Sequence, residues 1–368
     1  GNGPAAPTTL DREEADAMAI AFAGTAPFGA AMLRALLDGP GDGRPGRDDL
    51  VLVVSQPDRP AGRGKKLASP PVAALAHERC VRLVQPDRMH EPELLELYGE
   101  LGITTFVVAA FGQMVREPLL TDFLMLNVHG SILPQYRGAA PIERSIRDGR
   151  VETGVDIMRM EAGLDTGPVA IEARVPIAPD DDAGDVFAKL EAAGARILFD
   201  SLEQADAGTL QFEPQPEAGE SYAHKITAPD RMLDPNSSAR ALHDRVRALS
   251  PHVGAWLLVD GERLGIWRTE VVDGVDHPVT GRPGAIWHDQ QRLVIGAAEG
   301  ALEVLELQPP SKRRMASGDW LRGLRAQLVE ATAPEQAAGS WARFRRTLLA
   351  AAGCAGQARS RQRAGPHG

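Results

Sequence analysis

Apolar residues in the first half of the chain fall into short unbroken runs, separated by stretches where they recur every three or four positions. The runs Met18–Ala23, Leu50–Ser55, 81–84, Thr104–Ala110 and Phe123–Val128 read as buried strands. The spaced patterns near 28–37, 71–79, 91–101 and 113–120 read as amphipathic helices. Strands alternating with helices of this length predict a mostly parallel sheet covered on both faces. A helix over Ala140–Arg147 follows. Then come two strands, Thr153–Glu161 and Val169–Ile177, joined antiparallel through Gly163-Leu164-Asp165-Thr166-Gly167, and a helix from about 183 to 204.

The pattern changes after 207. Residues 208–229 hold several Gly and Pro without periodicity and read as an interdomain linker. Beyond them, a helix near 237–248 precedes short strands at 256–259, 264–272, 284–288, 291–297 and 301–307, with an Asp260-Gly261 hairpin signal and a closing helix near 317–329. The expectation is an α/β Rossmann-like domain over 18–207 and a small OB-like β-barrel over 230–330. Residues 1–17 read as a disordered leader, and the Ala/Gly/Arg tail over 331–368 reads as disordered too.

With 368 residues, 43% of them hydrophobic and 24% charged, the composition is that of an ordinary globular protein. No run reaches the length of a membrane span, and no signal-peptide core precedes Met18. Two cysteines, Cys80 and Cys354, form no disulfide framework, so a reducing cytoplasm is expected. The histidines show no ligand spacing, and no metal is expected. A net charge of −10 argues against a nucleic-acid partner only if charge is read globally. Locally, Pro57-Asp58-Arg59-Pro60-Ala61-Gly62-Arg63-Gly64-Lys65-Lys66 sets four cations against one acid on a Gly/Pro backbone. Such a segment is neither helix nor central strand. It is either a solvated turn or an arm that neutralises phosphates.

The chemistry gathers where the run ending at Leu126 breaks into Asn127-Val128-His129-Gly130-Ser131-Ile132-Leu133-Pro134. Alternation along a strand puts Asn127 and His129 on one face, about 7 Å apart. Ligands bind outside the carboxyl ends of strands in open α/β sheets. Asp165, in its glycine-flanked loop, is able to approach them. An amide and an imidazole oriented by a carboxylate suit the stabilisation of an oxyanion. No serine or cysteine stands in a nucleophile context, so the acyl group would pass directly to an external nucleophile. The first turn is Gly24-Thr25-Ala26-Pro27-Phe28-Gly29 rather than G-x-G-x-x-G, which counts against a dinucleotide enzyme.

The segment Leu126 to Pro141, LNVHGSILPQYRGAAP, resembles the signature of the 10-formyltetrahydrofolate-dependent formyltransferases. The likeness is greatest to the branch acting on methionyl-tRNA and covers roughly 18–325. It includes Phe22–Thr25, Gln56–Leu67, Glu152–Val155, Gly163–Gly167, Tyr222–Ile226 and Leu307–Pro310. Phe111 departs from it, standing where the family often carries Tyr. The resemblance implies that Asn127, His129 and Asp165 are the catalytic trio. It places Ser131, Ile132, Leu133, Pro134 and Gly112 at the folate, and Arg59, Arg63, Lys65 and Lys66 at the tRNA acceptor end. The implied reaction moves the formyl group of 10-formyltetrahydrofolate to the α-amino group of initiator methionyl-tRNA, in a cytoplasmic monomer without metal. The rival within the family is a sugar-nucleotide N-formyltransferase, for which neither the basic loop nor the barrel is needed. A rival of another class is a non-catalytic RNA-binding or folate-sensing protein on the same scaffold.

Overall fold

A computed structural model describes residues 18–61, 66–272, 277–324, 328 and 330–332. The chain divides into two compact units, the first holding residues up to 146 and 150–225, the second 147–149 and the chain from 226.

The first unit is built on a seven-stranded sheet. Its elements in order are β1 (Ile20–Gly24), α1 (Pro27–Asp38), β2 (Leu50–Val54), β3 (Arg59–Ala61), β4 (Lys66–Ala68), α2 (Pro71–Glu78), β5 (Leu83–Val84), α3 (Pro92–Glu100), β6 (Thr105–Ala109), α4 (Leu119–Asp122), β7 (Leu124–His129), β8 (Arg137–Gly138), α5 (Pro141–Arg147), β9 (Glu152–Arg159), β10 (Val169–Pro176), α6 (Ala183–Asp206) and β11 (Tyr222–Ala223). Strand order is β10-β9-β7-β6-β1-β2-β5. The five strands from β7 to β5 run parallel, and β9 and β10 are added antiparallel. β1 and β6 are buried at every position, as expected of central strands packed on both faces. From β1 the chain winds outward to β2 and β5, then returns to β6 and β7 on the other side. The turn of direction lies between β1 and β6, where open α/β sheets leave a crevice.

Helix α6 seats the antiparallel edge. Asp182 caps it, accepting from the Gly184 and Asp185 amides at 2.8 and 3.1 Å, while Asp185 accepts from the Asp182 amide at 3.0 Å. Its buried face, from Val186 through Leu190 and Ile197 to Leu202, packs on β9, β10 and α1.

Three elements differ from expectation in this unit. The helix expected over 113–120 is only Leu119–Asp122. Pro118 disfavours helical backbone at Glu117, and the Gln113 side chain instead bonds the Pro86 carbonyl and the Met89 amide. The described flanks of the basic segment, Arg59–Ala61 and Lys66–Ala68, pair as a short ribbon, β3 against β4, separate from the main sheet. The stretch read as a linker belongs to the first unit as far as 225. Glu213 bridges Val169, and β11 pairs in parallel with β8.

The second unit contains α7 (Ala239–Leu249), β12 (Ala255–Val259), β13 (Glu262–Val272), β14 (Ile286–His288), β15 (Leu293–Gly296), β16 (Ala301–Gln308), β17 (Met315–Ala316), α8 (Ser317–Arg322) and β18 (Ala331–Thr332). It is the small antiparallel barrel expected. The order is β14-β15-β16-β13-β12-β18, and a bridge from Ala285 to Glu330 joins the two ends into a ring. Asp260 and Gly261 both take positive φ, 48° and 82°, the conformation a tight hairpin between β12 and β13 requires. Leu242, Val246 and Leu249 of α7 share the core with Leu257, Ile266, Leu302 and Leu307. Helix α8 stops at Gly323, well short of 329. Ala331 and Thr332, read as the start of the tail, form the last strand of the ring. The leader and the rest of the tail lie outside the described residues.

Candidate active site

The carboxyl ends of β1, β6 and β7 converge on one edge of the first unit. The Thr25 hydroxyl and the Gln56 side-chain amide both donate to the Phe111 carbonyl, at 2.7 and 2.9 Å. Gly112 follows with φ 74°, and a Cβ on it would stand 2.9 Å from Gln56 Nε2. The position therefore favours glycine for its conformation and for the space.

On β7, Asn127 and His129 are nearly buried. His129 Nε2 lies 3.1 Å from the Tyr136 carbonyl, which accepts only, so this nitrogen carries a proton. The other ring nitrogen, Nδ1, lies 3.7 Å from Asp165 Oδ2. Asn127 Nδ2 donates to Asp165 Oδ1 at 3.4 Å. The carboxylate has one short bond, from the Gly138 amide to Oδ2 at 2.8 Å. The three side chains named from the sequence thus meet, with Asn127 Nδ2 and His129 Nδ1 facing one carboxylate across distances beyond the usual 2.7–3.2 Å. Contacts that long are readily exchanged for contacts to a substrate.

Asp165 is held from behind. Its φ of 51° is left-handed, a conformation aspartate tolerates better than most residues. Gln215 Nε2 donates to the carbonyls of Asp165 and Gly167, at 2.8 and 2.7 Å. Arg137 in turn donates to Gln215 Oε1 through Nη2 at 2.6 Å and to Glu220 through Nη1 at 3.1 Å. A Cβ on Gly167 would fall 1.8 Å from the Arg159 carbonyl, so only glycine passes there. A polar cavity of about 500 Å³ lies on this side of the loop, lined by Arg137, Arg159, Thr166, Phe212, Gln215 and Glu220 among others.

The segment 131–134 turns tightly beside His129. Ser131 Oγ donates to the Gln135 carbonyl at 2.6 Å, and the Leu133 amide donates to Asp156 Oδ2 at 2.7 Å. Asp156 is fully buried, and burial pushes its carboxyl up to about 7, against the Leu133 amide. Arg59 is exposed at the base of the β3–β4 ribbon and Lys66 is exposed on its other strand, while Arg63 and Lys65 lie outside the described residues. Among the described residues no group of three or more His, Cys, Asp or Glu side chains is arranged to hold a metal ion. No described helix is long and apolar enough to cross a membrane.

Residues 17–202 match the family described as Formyl transferase, and 225–325 match the Formyl transferase C-terminal domain. The methionyl-tRNA formyltransferase of Rubrobacter xylanophilus is 45% identical over 315 residues, covering 83% of this chain and 97% of its own length. That of Alcanivorax borkumensis is 39% identical over 307 residues, covering 83% and 91%. The chain belongs to the methionyl-tRNA formyltransferase family. Among solved structures, the N-formyltransferase of Helicobacter canadensis, in complex with folinic acid and dTDP-3-aminofucose, aligns with TM-score 0.55 over 81% of this chain and all of its own. At 16% identity that likeness shows the shared formyltransferase fold alone. The sugar-acting branch is correspondingly less supported than the branch acting on methionyl-tRNA.

Sequence reasoning missed Gln215, Arg137, Gly138, Tyr136 and Asp156. The first lies in a stretch without periodicity, and its contact to Asp165 spans 50 positions. The Gly138 and Tyr136 contributions are backbone groups, which no side-chain pattern announces. Asp156 breaks the apolar run of β9, and a carboxyl in a buried strand was the available signal.

Proposed function

We propose that the protein formylates the α-amino group of initiator methionyl-tRNA, with Asn127, His129 and Asp165 as its catalytic residues. The carrying observation is the meeting of Asn127 Nδ2 and His129 Nδ1 over the carboxylate of Asp165. An oxygen placed between those two nitrogens receives two hydrogen bonds when the His129 ring carries a proton on Nδ1 as well as on Nε2, which is the requirement for holding charge on a carbonyl under attack. The folate, when bound, supplies the formyl group from N10 and takes a proton there as the new amide forms.

Asn127 and His129 orient the formyl oxygen and shelter its developing charge. With Nε2 donating to the Tyr136 carbonyl, His129 serves as the imidazolium, the form in which Nδ1 also donates toward the reacting centre. Asp165 fixes the imidazole and accepts the proton that the amine sheds. A free α-amine has a pKa of about 7.7–8.0, so a useful share of it is neutral and able to attack near neutral pH.

The donor fits the carboxyl edge of the sheet, between the segments that follow β6 and β7. There the 131–134 segment offers backbone groups on one side, and Gly112 leaves room on the other. Arg59 and Lys66, with Arg63 and Lys65 between them in sequence, present cations for the acceptor stem of the tRNA, and the C-terminal barrel provides a second surface for it. The reading places the enzyme in the cytoplasm as a monomer. Incubating the protein with labelled 10-formyltetrahydrofolate and either aminoacylated or deacylated initiator tRNA tests the assignment. Label on the aminoacylated species alone is expected, and transfer to an amino sugar nucleotide in its place would move the protein to the rival branch.

A further inference from the structure

One face of β9 receives the segment that follows β7. Val155 meets α6, standing 3.4 Å from where a Cβ on Gly194 would be. Positions 154 and 156 therefore face the opposite side. At 154 a Cβ would lie 2.5 Å from the Ala173 carbonyl of β10 and 2.7 Å from Ile132 Cγ1, so the missing side chain makes room for the neighbouring strand and for Ile132. At 156 the buried carboxyl takes the Leu133 amide on Oδ2 and leaves Oδ1 with no partner among the described residues. Asp156 is the register partner of His129 on β7 and of Glu172 on β10.

We propose that Asp156 is a positioning residue for the formyl donor: together with Gly154 it seats Ile132 and Leu133, and so sets the 131–134 segment in register with His129. The inference rests on the folate reading above and adds to it what holds the donor's segment in place.

The charged groups around the carboxyl are few. His129 lies across β7 and Glu172 across β10. Arg174, also on β10, is tied to Glu152 and Glu172, each at 2.7 Å. Burial is the largest influence on Asp156; Glu172 adds to the upward push, while the Leu133 amide and Arg174 oppose it. Protonated, the carboxyl presents Oδ2 to the Leu133 amide and keeps its proton on Oδ1. Ionised, it leaves a charged oxygen unpartnered in a buried site beside another acid, a costly state that opening of 131–134 to water relieves. Seating of the segment and protonation of Asp156 are thus coupled.

The experiment is equilibrium binding of 5-formyltetrahydrofolate, a donor analogue that does not require transfer, between about pH 6 and pH 8.5. The wild-type protein is compared with Asp156→Asn, Asp156→Ala and Gly154→Ala. Wild-type affinity is expected to fall about tenfold between pH 6 and pH 8, following the shrinking protonated fraction. Asp156→Asn keeps a neutral acceptor for the Leu133 amide, so its affinity should stay flat and within about twofold of the wild-type value at the acidic end. Asp156→Ala and Gly154→Ala should bind about tenfold or more weakly at every pH, with the Michaelis constant for methionyl-tRNA within about twofold. An Asn variant that follows the wild-type curve places the pH response outside Asp156 and overturns the proposal. So does an Ala variant that binds as tightly as wild type. If the wild-type protein binds no analogue at any pH, the folate reading itself falls and takes this inference with it, an outcome distinct from loss in the variants alone.

Discussion

The Gly138 amide donates to Asp165 Oδ2 at 2.8 Å, the shortest bond that this carboxylate makes. A backbone donor, and neither of the two facing side chains, anchors the acid. Asn127 and His129 remain at 3.4 and 3.7 Å, positioned to engage something else.

Truncating either donor should therefore damage transfer more than folding. Asn127→Ala and His129→Ala are each expected to slow single-turnover formyl transfer by about 100- to 1000-fold, the usual effect of losing one oxyanion donor. The midpoint of thermal unfolding should move by only a few degrees. Transfer rates within about threefold of wild type would remove both residues from the mechanism.

Gln215→Ala tests whether the loop is held from behind. Two hydrogen bonds to the Asp165 and Gly167 carbonyls disappear, and a small displacement of a catalytic group costs up to about a hundredfold. The turnover number should fall about ten- to a hundredfold, with the Michaelis constant for the folate little changed. A variant of full activity would show that Asp165 is fixed by Gly138 alone.

Neutralising Arg59, Arg63, Lys65 and Lys66 together should raise the apparent Michaelis constant for tRNA and flatten its dependence on salt, because each phosphate contact contributes to that slope. The constant for the folate should not move. An unchanged slope would return the ribbon to the status of a solvated turn.

Asp156 links stability to pH. Its carboxyl titrates at about 7 in the folded chain, against 3.8 for an ordinary aspartate. The folded state thus holds a proton that the unfolded state has already released in this interval, and stability falls as the pH rises between about 4 and about 7. Relative to Asp156→Asn, the wild-type protein should lose stability across that window and run parallel on either side. Urea denaturation of both proteins at several pH values measures this. A constant difference between them would show that the carboxyl titrates normally.

The strands and the meeting of the three side chains were legible for simple reasons. Ile20–Gly24 and Leu124–His129 are apolar because both faces of a central strand are covered, and the polar break after Leu126 marks where cover ends. Gly163 and Gly167 bracket Asp165 because the chain turns sharply there. The support of that turn was not legible. Gln215 and Glu220 act through contacts to residues 50 and 83 positions away, in a stretch with no repeat to read. Val115 and Leu119 have helical spacing, but Pro118 lies between them, and the helix there is a single turn. Gly323 likewise ends α8 where the apolar spacing alone would carry it on.

The bridge between Ala285 and Glu330, with Ala331 and Thr332 paired to β12, means that the last few described residues act as the seam of the ring. Cutting the chain at about 330 to remove its arginine-rich end would unzip that seam. It would leave two sheet borders with free amides and carbonyls, ready to pair with another copy of the protein. A shortened version intended to report on RNA affinity should stop after Thr332, or aggregation will be mistaken for loss of a contact.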